Sequence, residues 1–409
     1  MPTFLSRHCA VALTALMLST PVFALTFESA QSIALQTAPQ LQASNAQITA
    51  AQQLAIPAGA LPDPKIKLGL DNVPLSGPDR FNPSTGMAMQ TVALMQEFPN
   101  GDKRHARVQA ASARIALSEM QRRIARQQIA RETAQAWIAQ YHIEQQLALV
   151  DHLDTENKLF SAVIRAQLAA GKGSISETVL PRQEQARLAE MREELSARRA
   201  QAAAQLRRWV GTAANEGLSG TPPVLQLNLL SLQVLDRPEL AAFDPQGNVL
   251  NAELAEARAA QRPDWALELK YQRNPQEYDS VMLELSFDLP VFSGRRQDPL
   301  IAAKVAERAA LDAEREASTR ERNAELAYEL ADLQRLQLAE QRYQATLIPL
   351  AQEKISLSLS AWKGGKGALG EVIAARRELL ETRLKAIAVA GELQQLQSRL
   401  HFTYAGAAQ

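Results

Sequence analysis

Along most of this chain apolar side chains recur every three or four positions, but in four short stretches they alternate with polar ones. In 265–272, Trp265, Leu267, Leu269 and Tyr271 fall on one face, and Ala266, Glu268, Lys270 and Gln272 on the other. Period two marks a strand. The stretch 281–289 repeats the pattern, with Val281, Leu283, Leu285, Phe287 and Leu289 opposite Glu284, Ser286 and Asp288, and 273–280 reads as the turn between. An earlier pair is fainter. Ile66, Leu68 and Leu70 oppose Lys65, Lys67 and Asp71; a long loop covers 74–86; the return over 87–98 has its alternation blurred by Met87, Met89 and Met95.

The two strand pairs belong to a larger repeat. Pro62-Asp63 aligns with Pro263-Asp264, 201 residues on; 97–111 aligns with 288–304, and 169–188 with 362–384. Offsets that drift between about 190 and 200 mark a duplication with altered loops. From Asp102 to Ala170 there are 69 residues with neither Gly nor Pro, bounded by Gly101 and Gly171. From Arg295 to Lys363 there are again 69 without Gly, bounded by Gly294 and Gly364; Pro299 falls in a first turn, where proline is tolerated, and Pro349 predicts a kink. A helix of that length runs roughly 100 Å. Ile143, Leu147 and Val150, then Leu326, Leu330 and Leu333, Tyr343, Leu347 and Leu350, and Leu380, Leu384 and Ile387 keep the four-three spacing of a coiled-coil seam. Each long helix turns at a Gly-Lys-Gly cluster and returns, through 174–210 or 371–405, so two antiparallel helical hairpins are expected.

Composition narrows the setting. With 44 Lys+Arg against 44 Asp+Glu there is no basic field of the kind that holds nucleic acid. The first 24 residues carry Arg7, an apolar run from Ala10 to Leu18, and small residues at Val22 and Ala24, which is the pattern of a secretory signal peptide. Cleavage after Ala24 removes Cys9, the only cysteine, which lies upstream of the apolar run, where no lipid anchor is attached. No later stretch approaches the ~18 uninterrupted apolar residues of a spanning helix. About nine residues per strand, one face apolar and the other charged, suits tilted membrane strands with lipid outside and water inside; an amphipathic sheet over a soluble core is the alternative. Four strands do not close a barrel, and hydrocarbon does not accept an open edge, so membrane strands would be pooled between copies. Eight, twelve and sixteen strands all satisfy the counting.

With these features the chain resembles the TolC family of outer-membrane efflux proteins along nearly its whole mature length. The likeness is carried by the duplicated strand-turn-strand, by "QEFPNGDKRHAR" and "FDLPVFSGRR" leading into the long helices, and by the paired tips. "PDPKIKLGLDNVPLSGPDRF" and "MQTVALMQEFPNGDKRHAR" are most similar to the components of cobalt-zinc-cadmium type cation efflux systems. The resemblance implies a mainly α fold with a small membrane β part: a trimer whose twelve strands form one outer-membrane barrel, continued by a periplasmic α-helical barrel. It implies partners as well, namely outer-membrane lipid, a periplasmic adaptor protein and a proton-driven inner-membrane pump of the RND type, with no cofactor and no nucleic acid.

The expected order along the chain is a signal peptide at 1–24, an N-terminal helix at 25–60 and a first membrane β-hairpin at 61–99. A first helical hairpin follows at 100–210 with its tip at 171–176, then an equatorial connection at 211–247 and a short helix at 248–262. A second β-hairpin at 263–290, a second helical hairpin at 291–405 with its tip at 364–370, and a tail at 406–409 complete it. The tips, Gly171, Lys172, Gly173 and Ser174 in the first and Gly364, Gly365, Lys366 and Gly367 in the second, are the expected adaptor-docking loops. The family narrows its periplasmic mouth with acids at the second tip. The matching residue is Glu371, with Ala374 where a second acid would stand, and Glu177 is its counterpart at the first tip. A first-turn acid is also favoured by any helix N-terminus, and glycines turn a chain whether or not a partner docks there.

Catalytic and metal chemistry is not indicated. His142 and His152 are ten residues apart and do not share a helix face. "FPNGDKRH" lacks Walker spacing; Met87, Met89 and Met95 could relay a soft cation, but packing of a strand is the favoured reading. An exit duct for divalent metal cations is the expected function, with a general solute duct of the same family or a periplasmic coiled-coil adaptor as alternatives.

Overall fold

The computed structural model describes residues 24–85, 88–171, 174–225, 227, 234, 237–274 and 278–405. The signal-peptide assignment, Met87 and the 406–409 tail lie outside them. Two helices come first, α1 (Phe27–Thr37) and α2 (Pro39–Ala55), where the sequence suggested one over 25–60. Pro39 explains the break: it opens α2 at its first position, and Ala38 before it leaves the helical region at ψ 121°. Strands β1 (Lys65–Asp71) and β2 (Met89–Phe98) lead into α3 (Gly101–Ala169), which returns as α4 (Val179–Val210). A short α5 (Pro238–Ala241) and α6 (Phe243–Ala259) precede β3 (Trp265–Arg273) and β4 (Ser280–Phe287). Helix α6 thus begins five residues earlier than the 248 boundary expected, because Pro245 is tolerated in its first turn. Then α7 (Gln297–Arg342) and α8 (Ile348–Lys363) run out, and α9 (Leu369–Leu400) runs back.

The kink expected at Pro349 takes a specific form. A π-helical turn spans Tyr343–Leu347 just ahead of it, and Pro349 then sits at the start of α8. The wider turn absorbs the missing proline N–H without ending the rod. Its extra residue also rotates the following face, and Leu347 and Leu350, expected in a buried seam, are exposed.

All four strands join one antiparallel sheet in the order β1-β2-β3-β4. The two hairpins are therefore fused through β2 and β3, with Phe98 opposite Trp265 and Leu94 opposite Leu269.

Packing along the helices is concentrated in clusters. Near mid-length, Trp137 is fully buried, edge-on to Phe27 at 5.6 Å and stacked on Tyr141 at 5.5 Å, and its Nε1–H donates to the Leu25 carbonyl at 3.1 Å. Leu206, Trp209 and Val210 of α4 complete that core. Further out, Val150 packs with Leu188, Leu195 and Leu380, so the seam includes both hairpins. A third cluster gathers Leu333, Leu336, Leu393, Leu396 and Leu400 between α7 and α9. The ring contacts and the buried indole hydrogen bond make Trp137 costly to remove. Trp137→Ala is expected to destabilise the folded chain by about 3–5 kcal/mol, read as a lower melting temperature by circular dichroism with the helical signal intact at low temperature.

Candidate duct surface and tips

The sheet has two unlike faces. On one, Ile66, Leu68 and Leu70 of β1 continue through Val92 and Leu94, Leu269 and Tyr271, and Val281, Leu283, Leu285 and Phe287, and all of these are exposed. A continuous bare apolar face of that extent marks a surface made for something other than water. At its helix-proximal end Phe98 stacks on Trp265 at 4.1 Å with Phe287 next in register; Tyr271 and Tyr278 lie toward the other end. Aromatic residues at both ends of an apolar band are the mark of membrane interfaces.

The opposite face is polar and is folded over itself, with Ala93, Thr91 and Glu268 buried. Lys67 Nζ reaches Glu268 Oε2 at 2.6 Å across the intervening strand, Lys65 pairs with Glu97, and Thr91 Oγ1 donates to Asp71 Oδ2 at 2.5 Å. Met89 and Met95 stand in register with Asp71 and Lys65 on this polar face. Their placement accounts for the blurred alternation in the sequence. Among the described residues no helix is long and apolar enough to cross a membrane.

Between sheet and helices lies a polar knuckle that sequence reasoning passed over. Asn100 caps α3 by accepting from the Lys103 N–H at 2.8 Å; its own N–H donates to Asp264 Oδ1 at 2.8 Å, and Lys103 Nζ lies 2.7 Å from Asp264 Oδ2. Arg107 with Glu256, at 2.7 Å, and Arg114 and Lys304 with Glu253, at 2.7 and 2.9 Å, continue the latch down α6. Burial opposes ionisation of Asp264, but the bonds from Lys103 and Asn100 outweigh it and hold the carboxyl below its ordinary value. The repeated Pro-Asp dipeptide was the available signal.

At the tips the hairpins lie side by side. Phe160 and Trp362 pack with centroids 5.8 Å apart, over Ile164, Leu369 and Ile373. Arg376 reaches Glu156 at 2.8 Å, and Arg377 reaches Glu184 at 2.7 Å. In the first tip Gly171 has φ +76° and Ser174 caps the turn that follows; Lys172 and Gly173 fall outside the described residues. Glu177 accepts the Ser174 N–H at 3.1 Å. In the second tip Gly365 has φ +72°, and a side chain at Gly367 would meet Ala361 Cβ at 3.1 Å and the Trp362 nitrogen at 3.3 Å, so both must be small to turn the chain. Gly364 and Lys366 are exposed beside them. Glu371 is exposed in the first turn of α9, whose Ala368 cap offers no side-chain bond. Ile175, three-quarters exposed at the first tip, is an apolar contact point that the sequence reading did not single out.

The described residues contain no group of three or more His, Cys, Asp or Glu placed to hold a metal. His142 Nε2 lies 2.8 Å from Gln394 Oε1, and Gly391 lets α9 approach that ring. Burial lowers the His142 pKa against the raising effect of the Gln394 bond; its role is helix packing.

Residues 30–212 match the model of the outer membrane efflux protein family. Over about nine-tenths of its length the chain shares its fold with solved outer-membrane proteins. The outer membrane protein VceC of Vibrio cholerae is 18% identical over 92% of this chain and 95% of its own, with a TM-score of 0.76. The Campylobacter jejuni CmeC outer membrane channel is 12% identical over 93% and 86%, with a TM-score of 0.78. CusC, whose structures concern folding and transmembrane channel formation, is 17% identical over 92% and 91%, with a TM-score of 0.76. No curated protein sequence matches this one.

Acid should loosen the knuckle first. The stabilisation from Asp264 is complete above the ordinary carboxylate range and is lost as pH falls through its lowered folded value. Melting temperatures followed from pH 7 to pH 3 should fall on the acid limb, and Asp264→Asn should flatten that limb while lowering the plateau by about 1–3 kcal/mol.

Proposed function

We propose that this protein is the outer-membrane exit duct of a tripartite, proton-driven efflux system, and that its cargo is divalent heavy-metal cations. The observation that carries the duct reading is the sheet: an exposed apolar face backed by a self-paired polar face, with unpaired edges at β1 and β4. Three copies would close twelve strands around water, and the six hairpins would extend the lumen through the periplasm. Transport by such a molecule needs a continuous wet path and no reacting group. The metal preference rests on the likeness of 62–81 and 89–107 to cation-exporting components. Gly171 to Ser174 and Gly364 to Gly367, with Ile175 beside them, are proposed as the adaptor contact, since exposed loops are where partner contacts concentrate.

Glu371 is proposed as the gate acid. Repeated by a threefold axis it gives a ring of carboxylates at the mouth, which favours cations over anions. Glu177 is the weaker candidate, because its carboxylate already accepts the Ser174 N–H.

Purified protein added to a planar bilayer should produce stepwise conductance that prefers cations. Glu371→Gln should reduce that preference severalfold while leaving the oligomer intact, and Glu177→Gln should not. A protein that stays single and monodisperse in buffer without detergent, and gives no conductance, would reject the duct. In a host carrying the matching pump and adaptor, restored resistance to divalent metals supports the cargo; restored resistance to organic solutes alone rejects it.

A further inference from the structure

The long helices leave a polar cleft between them. On α3, Arg131, Gln135 and Ala139 follow at four-residue steps and share a face; Gln395 and Arg399 do the same on α9, and Arg322 and Glu325 stand three apart on α7. With Gln205 of α4 and Arg237 at the start of α5 they line a space of about 670 Å³. Alanines at 136, 139 and 202 leave the room, where longer side chains would fill it.

The charges around this cleft do not cancel. Arginines at 131, 237, 322 and 399 face glutamates at 132, 239 and 325, and two of the glutamates are already engaged. Glu325 accepts from Arg237 Nη1 at 3.0 Å and from Arg322 Nη1 at 2.8 Å. Glu132 accepts from Gln128 at 2.8 Å and has Arg208 3.9 Å away. Arg131 makes no ion pair within 4 Å among the described residues. Arg399 Nε stands 3.5 Å from Glu329, which is 4% exposed, and burial raises the pKa of that carboxyl against the pull of Arg399 and Arg131. Glu329 is therefore a weak counter-charge.

Arg237 adds an independent sign. It is 3% exposed, and its guanidinium lies over the Tyr404 ring at 5.4 Å, which fixes the plane of the fork. Its Nε is 3.5 Å from Glu239 Oε2 in a geometry that makes no hydrogen bond; both atoms are buried without a hydrogen-bond partner among the described residues, as is Arg322 Nε. Shielded guanidinium donors left unbonded destabilise a fold unless something enters to accept from them.

We propose that this cleft binds a small oxyanion, a phosphate or carboxylate group, between the arginines of α3, α7 and α9 and above Arg237. The planar guanidinium fork matches two oxygens of such a group, and the space left over holds bridging water. The surplus of arginine disfavours a cation, so the site is chemically unlike the acid ring proposed at the tip and does not depend on the duct reading.

The test titrates the purified full-length protein in detergent with sodium phosphate, and in a second arm with sodium succinate, at an ionic strength held constant with sodium chloride. Melting temperature is read by circular dichroism. A saturable rise with an oxyanion, absent with chloride alone, is the expected result; the arm that half-saturates at the lower concentration tells phosphate from carboxylate. Arg131→Gln with Arg399→Gln should raise the half-saturating concentration by about tenfold or more. Ala139→Leu keeps every charge and narrows the cleft, and should weaken binding in the same direction. No saturable rise with either oxyanion overturns the site, and so does a rise that survives unchanged in either variant. Bilayer conductance separates the two proposals: a protein that conducts without binding an oxyanion rejects this site alone, and one that binds without conducting rejects the duct alone.

Discussion

A backbone amide in hydrocarbon has no water to bond, and each one left unpaired there costs several kcal/mol. For the exit duct proposed here, that constraint would govern the molecule. Its four strands pair with one another through β1·β2, β2·β3 and β3·β4, yet among the described residues the outward edges of β1 and β4 have no strand beside them. The same sheet presents leucines, valines and aromatics on its bare face. A surface that suits lipid thus comes with edges that lipid does not accept, and only closure with further strands reconciles the two.

The helical part shows the same incompleteness. Helix α7 is 46 residues long, and its buried residues are Glu329, Leu333 and Leu336. Leu300, Val305, Leu338, Leu350 and Leu357 are exposed along the outward run. By contrast α3 buries Trp137 with its neighbours and is held by α1, α2, α4, α6 and α9. A long helix with so little tertiary contact draws weak support from propensity alone. The internal repeat parallels the imbalance: α3 packs on both α2 and α6, whereas α7 packs on α6.

How much of this was legible in the sequence follows from the range of each interaction. Period-two alternation in 265–272 and the two 69-residue runs are local signals, and they specify strand pairs and helical hairpins before any tertiary contact is known. The order of strands in the sheet is not local; it depends on Phe98 finding Trp265 across 167 residues. Face assignment of Met89 and Met95 came only with register, since methionine suits either side. The break at Pro39 and the π turn before Pro349 were readable as proline effects, but their form was not, because proline removes the same N–H in either case. Tip residues were legible as turns through their glycines. The knuckle was missed: Asn100, Lys103 and Asp264 are unremarkable one by one, and their meaning appears only when β2 and β3 pair.

The acids at the tips show how position decides what a carboxylate is available to do. Glu177 and Glu371 occupy corresponding places, each in the first turn of a returning segment, where the backbone dipole favours negative charge. Glu177 closes a capping box with Ser174 and is thereby tied to its own chain. Ala368 makes no such cap for α9, and Glu371 is not tied to its cap residue as Glu177 is. In the proposed gate a ring of like charges would repel itself, and exposed helix N-termini would offset part of that repulsion without neutralising the ring as a lysine would. On that proposal the second tip, uncapped by a side chain, suits a charged mouth better than the first.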